Sequence, residues 1–217
     1  AVKPTTLPIF IWNCRWASAS IGAMAYSAFD VEPVTPRIGA IVRGMDLAIP
    51  LTDAVFADLH DAFMNHLVLF FRDQHMTPVQ HIAFGRRFGE LHIHPAAPYV
   101  HGNPALMQIH TDKDSFRNNG EGWHSDVSAD VEPPMASILH LHQTPGQGGD
   151  TLWSSMYAAY DALSEPMKAM LNGLTAVHET DYSGFYGDHQ PQRENPRAEH
   201  PVIRTHPVTG RKALYVN

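Results

Sequence analysis

The segment GWHSDVS, residues 122–128, places a histidine and an aspartate two residues apart, directly behind a tryptophan. In an extended strand, residues two apart point to the same face, so the spacing predicts that His124 and Asp126 share one face. An imidazole and a carboxylate on one face are two thirds of the 2-His-1-carboxylate set that binds Fe(II). Two ordinary polar strand residues have the same spacing, so the rest of the chain has to decide between a metal site and a solvated strand.

The composition indicates a globular chain, and its net charge bears on the kind of partner that the chain binds. Hydrophobic residues make up 44% of 217 residues, which is enough for a substantial core. The formal charge of −7 argues against a nucleic-acid backbone or an anionic membrane as the main partner. No run of 18 apolar residues occurs, and Cys14 is the only cysteine, so the sequence favours a reducing, cytoplasmic location.

The first 23 residues differ in character from the rest of the sequence. Their short apolar run, residues 7–12, weakly imitates a secretory signal, but Arg15 interrupts the segment after it. We therefore interpret residues 1–23 as an extension or upstream segment, with Met24 as a natural start. Residues 24–217 are then predicted to form one domain.

Helical and strand signals alternate along this domain. A helix is predicted at 51–66, capped by Thr52 or Asp53, followed by a buried strand at 67–71 and a second helix from Thr77 to Gly89. Strands are then expected at 105–111, 135–142, 150–153 and 175–180, and two further helices at 156–164 and 165–174. A polar surface loop or lid is expected at 187–200, and a C-terminal hairpin at 200–217. This pattern favours a β-sandwich or jelly roll decorated with helices.

Further motifs accompany the histidine–aspartate pair in a specific order. They are FGELHIHP (88–95), PPMASILH (133–140), GGDTLW (148–153) and the segment 200–217. Together with WHSD, they resemble the taurine dioxygenase family of Fe(II)- and 2-oxoglutarate-dependent oxygenases, over about residues 24–217. The resemblance implies a mainly β fold with helices, a double-stranded β-helix or jelly roll. It also implies that dioxygen and 2-oxoglutarate hydroxylate a small, anionic substrate, releasing succinate and carbon dioxide.

The resemblance assigns roles by matching positions. His124 and Asp126 match two iron ligands, and Thr151 matches the threonine that helps hold the distal carboxylate of 2-oxoglutarate. Positions that match substrate contacts are His94, Asn119 and Ser183. The spacing at Asn119 differs by one residue, so Gly120 is the alternative at that place. This departure counts against taurine itself, and taurine, other sulfonates, alkyl sulfates and carboxylates all stay open as substrates.

The family pattern also requires a second histidine ligand and an arginine that pairs with 2-oxoglutarate. Both are expected beyond Asn217, on the last strands of the jelly roll, so the chain is interpreted as the N-terminal and central part of a longer enzyme. These 217 residues alone are then expected to bind iron weakly and turn over poorly. Assembly into a homo-oligomer is left open.

Two other interpretations compete with the oxygenase. One is a non-catalytic protein on the same fold. The other is a cupin-type metal site that uses the HxH pairs at 92–94 and 140–142. For the second pair, alternation of leucine with histidine predicts a solvated strand face instead.

Overall fold

The N-terminal part of the molecule is a small α/β unit. The computed structural model describes residues 26–94, 98–100, 102–115, 122–181 and 195–217, so the predicted extension at 1–23 lies outside the described residues. Strand β1 pairs antiparallel with β2, and β2 pairs in parallel with β3, which follows helix α1. The elements are β1 (Asp30–Pro33), β2 (Ala40–Arg43), α1 (Asp53–His66) and β3 (Leu69–Phe71).

Helix α1 begins and ends where local chemistry dictates. The Thr52 hydroxyl accepts a hydrogen bond from the Val55 amide at 3.3 Å, which confirms the predicted cap. Leu67 then takes a left-handed backbone with φ 68°, and its amide donates to the Phe63 carbonyl at 2.8 Å. The following strand is therefore shorter than predicted, and its three residues are half-buried.

Helix α2 (Pro78–Gly85) shows the predicted N-terminus but ends early. Thr77 and Gln80 form a reciprocal capping box, and proline occupies the first turn. The predicted end at Gly89 is wrong, because the amides of residues 87–89 donate to carbonyls three residues back, so the chain continues as tight turns. The core cluster of this unit contains Phe29, Val42, Leu47, Leu59, Ala62, Met76 and Phe84.

The remaining described residues form two short helices and three two-stranded sheets. The antiparallel pairs are β4–β5, β6–β7 and β8–β9. The elements are β4 (Tyr99–Val100), β5 (Asn103–Met107), α3 (Met156–Asp161), α4 (Glu165–Leu171), β6 (Thr175–Glu179), β7 (Arg197–Pro201), β8 (Ile203–Thr205) and β9 (Lys212–Leu214). Part of the predicted lid is therefore wrong, since β7 is paired with β6; residues 187–194 lie outside the described residues.

Two predicted strands, at 135–142 and 150–153, have no regular secondary structure. Their apolar side chains face solvent, with Leu141 at 61% and Leu152 at 70% exposure. A strand needs a partner ladder, and no described segment pairs with either stretch, so an alternating pattern alone does not produce one. The described residues thus form four small sheets and a few helices. The double-stranded β-helix is not visible among them.

The C-terminal hairpin turns where glycine and proline predicted it. Gly210 has φ 68°, and its amide donates to the His206 carbonyl at 2.9 Å. Beyond β9, the Tyr215 amide donates to the Val202 carbonyl at 2.8 Å. This contact fixes the path of the last residues. Over the described ranges, no helix has both the length and the apolar character to span a bilayer.

Candidate metal centre

His124 and Asp126 meet at the start of a turn. His124 Nε2 lies 3.2 Å from Asp126 Oδ1, and both side chains are about half exposed. The predicted extended strand is wrong here: residues 123–125 are irregular, and a turn begins at Asp126. The Asp130 amide closes that turn by donating to the Val127 carbonyl at 3.1 Å. Chain reversal, and not strand alternation, therefore brings the two side chains together.

The His124 ring is oriented by its own backbone. Its Nδ1 lies 2.8 Å from the Gly122 carbonyl oxygen, which only accepts hydrogen bonds, so Nδ1 carries a proton. In the neutral imidazole, Nε2 then presents a lone pair toward the Asp126 carboxylate. Two acceptors that face each other are satisfied by a proton or a cation between them. Second-shell orientation of this kind is typical of metal-binding histidines.

The distance between the two atoms suits adjacent ligands of one ion. Metal–nitrogen and metal–oxygen bonds are about 2.1 Å long, so two atoms 3.2 Å apart are close enough to reach one ion. An imidazole and a carboxylate are donors that suit Fe(II). Within the described ranges, no third His, Cys, Asp or Glu completes a metal-binding group. The pair would therefore supply part of a ligand set.

Ser137 orients the other carboxylate oxygen. Its hydroxyl donates to Asp126 Oδ2 at 2.6 Å, the length of a charge-assisted hydrogen bond. Because Oδ2 is occupied by this donor, Oδ1 is the atom that faces His124. Ser137 comes from the irregular segment after the turn, eleven residues along the chain.

The backbone after Asp126 is strained. Val127 has φ 52°, a left-handed conformation that β-branched residues rarely adopt and that costs on the order of 1–3 kcal/mol. Such a conformation persists only where neighbouring contacts hold it. His200 makes contacts of this kind: its Nε2 lies 2.9 Å from the Ser128 carbonyl oxygen and 3.0 Å from the Asp130 carbonyl oxygen.

Two further contacts attach the turn to distant segments. The Ser125 amide, between the two candidate ligands, donates to Asn217 Oδ1 at 2.7 Å. On the other side, His92 Nε2 lies 3.2 Å from Asp130 Oδ2, and the two side chains are 26% and 12% exposed. The turn at residues 122–130, which carries the two candidate ligands, is thus tied to both the N-terminal and the C-terminal parts of the chain.

A second histidine–aspartate pair has the same spacing and separation. His110 Nε2 lies 3.2 Å from Asp112 Oδ2, and both are exposed. Asp112 is held locally: hydrogen bonds from Ser115, the pairing with His110 and the Asp114 amide lower the pKa of its carboxyl. Among the described residues, the contacts of this pair come from within three residues in sequence, whereas Ser137 and Asn217 reach the first pair's turn from 11 and 92 residues away. Spacing alone therefore does not distinguish a metal site.

The other predicted site residues are placed unevenly. His94 lies beside His92, with ring centroids 6.4 Å apart. His92 in turn contacts Asp130, at the end of the turn that carries the candidate ligands. Thr151 is exposed, and within the described residues it makes no hydrogen bond to His124 or Asp126. Asn119, its alternative Gly120 and Ser183 lie outside the described residues.

The HxH pairs do not assemble a cupin-type site within the described residues. His92 is engaged by Asp130, and His140 Nε2 lies 3.2 Å from the Gln74 carbonyl oxygen. The solvated strand face predicted for 140–142 is also wrong, because the segment is not a strand and His140 is half-buried against Gln74. Burial and the neighbouring imidazole of His140 lower the pKa of His81.

Ser137, His200 and Asn217 contact the candidate site, and sequence reasoning missed them. Ser137 lies in the motif PPMASILH and Asn217 in the segment 200–217, both of which support the family resemblance, and this was the available signal. His200 falls at the end of the segment interpreted as a lid. Its separation of 72 residues from Ser128 gives no spacing rule that would have revealed the contact.

Comparison with known proteins identifies the family of the chain. The family profile described as taurine catabolism dioxygenase TauD, TfdA family matches residues 30–217. An alpha-ketoglutarate-dependent sulfate ester dioxygenase of Pseudomonas putida is 37% identical over 85% of this chain and 65% of its own length. The chain thus spans slightly less than two thirds of that relative.

Solved structures give the same likeness. A taurine dioxygenase from Burkholderia xenovorans superposes with a TM-score of 0.71 at 34% identity, covering 87% of this chain and 63% of that one. The structure of AAD-2 in complex with Mn(II) and N-oxalylglycine gives a TM-score of 0.60 at 27% identity, covering 87% and 69%. From the profile match over most of its length, together with these relatives, the chain belongs to the TauD, TfdA family of dioxygenases.

Proposed function

We propose that the complete protein is an Fe(II)- and 2-oxoglutarate-dependent dioxygenase that hydroxylates a small organic anion. The observation that carries this proposal is the 3.2 Å distance between His124 Nε2 and Asp126 Oδ1. The other polar atom of each side chain already has a hydrogen-bond partner: His124 Nδ1 donates to the Gly122 carbonyl, and Asp126 Oδ2 accepts from Ser137. The domain at residues 24–217 would be the part of the enzyme that supplies these two ligands. Its cytoplasmic location stays a prediction.

The residues of this chain would hold and orient the reacting groups. His124 and Asp126 would bind Fe(II), while Gly122 and Ser137 fix which atoms face it. Thr151 would help hold the distal carboxylate of 2-oxoglutarate. When bound, Fe(II), 2-oxoglutarate and dioxygen supply oxidative decarboxylation to succinate and carbon dioxide, coupled to hydroxylation of a substrate carbon. The second histidine ligand and the arginine partner stay predictions.

The proposed substrate carries a sulfonate or sulfate group. The likeness to a sulfate ester dioxygenase and to a taurine dioxygenase supports this class. Hydroxylation of the carbon next to the heteroatom gives an unstable adduct that releases sulfite or sulfate with an aldehyde. We propose that His94 contacts the substrate, since it lies beside His92 on the segment tied to the ligand turn. Asn119 and Ser183 are further proposed contacts.

The test is succinate release by the complete protein under air with Fe(II) and 2-oxoglutarate. The panel contains taurine, other sulfonates, alkyl sulfates and carboxylates of matched chain length. We expect succinate formation to be stimulated by one of the sulfur-containing anions. Asp126→Ala is expected to lower coupled succinate formation at least 100-fold, since removal of a ligand abolishes the metal site.

The chain supplies its own matched control. Asp112→Ala removes the aspartate of the second histidine–aspartate pair, which has the same spacing and the same 3.2 Å separation. We expect this variant to keep full activity. Equal loss in both variants, or retained activity in Asp126→Ala, would refute the ligand assignment. No Fe(II)-dependent succinate formation with any anion would favour a non-catalytic protein on the same fold.

A further inference from the structure

We propose that Asn217 and His200 are positioning residues that hold the ligand-bearing turn, residues 122–130, in the geometry that binds metal. This inference rests on the proposed function and extends it to two residues to which neither the sequence resemblance nor the comparisons give a role. Both belong to the C-terminal part of the chain, 70 or more residues from the contacts they make.

Asn217 acts at the residue between the two ligands. Its Oδ1 accepts the Ser125 amide hydrogen at 2.7 Å, and this hydrogen bond spans 92 residues of sequence. Fixing that amide fixes the peptide plane that joins His124 to Ser125. The direction in which the His124 side chain leaves the backbone, relative to Asp126, depends on that plane. Asn217 thereby acts on the relative placement of both ligands without touching either of them.

His200 acts on the other end of the same turn. Its Nε2 reaches the carbonyl oxygens of Ser128 and Asp130, and the ring is only 5% exposed. Both acceptors are carbonyls, so Nε2 carries the proton and donates to them. These contacts follow immediately after Val127, whose left-handed φ of 52° needs support from its surroundings.

An aromatic stack gives both residues a rigid base. The His178 ring lies parallel to Tyr215 at 5.0 Å between centroids, and His200 packs edge-on against both rings, at 5.1 and 5.3 Å. His178 and His200 are 2% and 5% exposed, and Tyr215 is half-buried. Asn217 follows two residues after Tyr215, and His200 is a member of the stack. The two contacts to the turn therefore start within this cluster or next to it.

The test uses paired substitutions in the complete protein. Asn217→Asp keeps an acceptor oxygen for the Ser125 amide, whereas Asn217→Leu has a similar size and no acceptor. His200→Gln keeps a side-chain N–H donor near the Nε2 position, whereas His200→Met does not. Anaerobic titration with Mn(II) measures affinity, and the visible spectrum of the Co(II)-loaded protein reports ligand geometry. Thermal unfolding of the metal-free protein checks that each variant folds.

We expect Asn217→Leu and His200→Met to weaken Mn(II) binding about tenfold and to alter the Co(II) spectrum, in line with losses at second-shell positions. Asn217→Asp and His200→Gln should retain the wild-type spectrum and bind within threefold of wild type. Folded Leu and Met variants with wild-type affinity and spectrum would overturn the inference and leave the dioxygenase proposal standing. A wild-type protein that binds no Mn(II) would overturn both.

Discussion

Removal of the Ser137 hydroxyl tests how the Asp126 carboxylate is oriented. In Ser137→Ala, Oδ2 loses the donor that now lies 2.6 Å away, so the carboxylate is free to rotate away from His124. Hydrogen bonds to charged groups contribute about 1.5–3 kcal/mol, and Ser137 and Asp126 are both exposed, which favours the lower end of this range. A loss of about 1.4 kcal/mol in binding free energy corresponds to a tenfold larger dissociation constant for Mn(II).

Anaerobic Mn(II) titration of the complete protein measures that change. Ser137→Thr retains the hydroxyl and should bind within threefold of wild type. Ser115→Ala is the matched control, because the Ser115 hydroxyl donates to Asp112 of the second pair at 3.0 Å. Its affinity should be unchanged. The reasoning would be refuted by a Ser137→Ala affinity within twofold of wild type, or by an equal loss in Ser115→Ala.

Two further predictions concern stability. Burial and the neighbouring His200 lower the pKa of His178 below its usual 6.5, so below about pH 6.5 the unfolded chain takes up a proton that the folded chain does not. The free energy of unfolding should therefore fall from pH 8 to pH 5.5 in urea titrations, and less steeply in His178→Phe; an equal slope in both would contradict this. Thr77→Ala removes one half of the capping box and should destabilise the fold by about 1 kcal/mol, a melting-temperature loss of about 2–4 °C by calorimetry, whereas Thr77→Ser should melt like wild type.

Helix N-termini were predicted well because their determinants are local, whereas α2, α3 and α4 all end earlier than predicted. Thr52 caps α1 through the amide three residues on, and Ser164 does the same for α4. The signal and the structure it produces lie within one turn of helix. The early end of α2 was missed because Gly89 looked like a terminator, while the observed end depends on tight turns that have no marker in the sequence.

Strands in the middle of the chain were not predictable in the same way. Residues 135–142 alternate as a strand should, yet a strand forms only where another segment supplies a ladder. The identity of that segment is non-local information. The hairpin at 203–214 was predicted correctly because both strands and the glycine turn are neighbours in sequence.

In the candidate site too, the local pattern was predictable from the sequence and the contacts between distant segments were not. The sequence singled out His124 and Asp126 as candidate ligands, which stays a prediction, although it predicted a strand where the chain forms a turn. The spacing of the two residues alone could not have separated this pair from His110 and Asp112, which the structure places at an equal distance. The distinguishing contacts come from Ser137 and from Asn217, 92 residues away from its partner, and only folding brings them to the turn.

The exposed apolar side chains at 135–153 have a consequence for how the isolated chain unfolds. Leu141 and Leu152 are already hydrated in the folded state, so unfolding transfers less new apolar surface to water than chain length suggests. Ordinary domains have a heat-capacity increment of about 12–15 cal/mol/K per residue, and their denaturant sensitivity scales with newly exposed area. The heat-capacity increment of unfolding and the slope of the unfolding free energy against denaturant concentration should both fall below the values typical of a domain of 217 residues. The same surface should bind a hydrophobic dye before any denaturant is added.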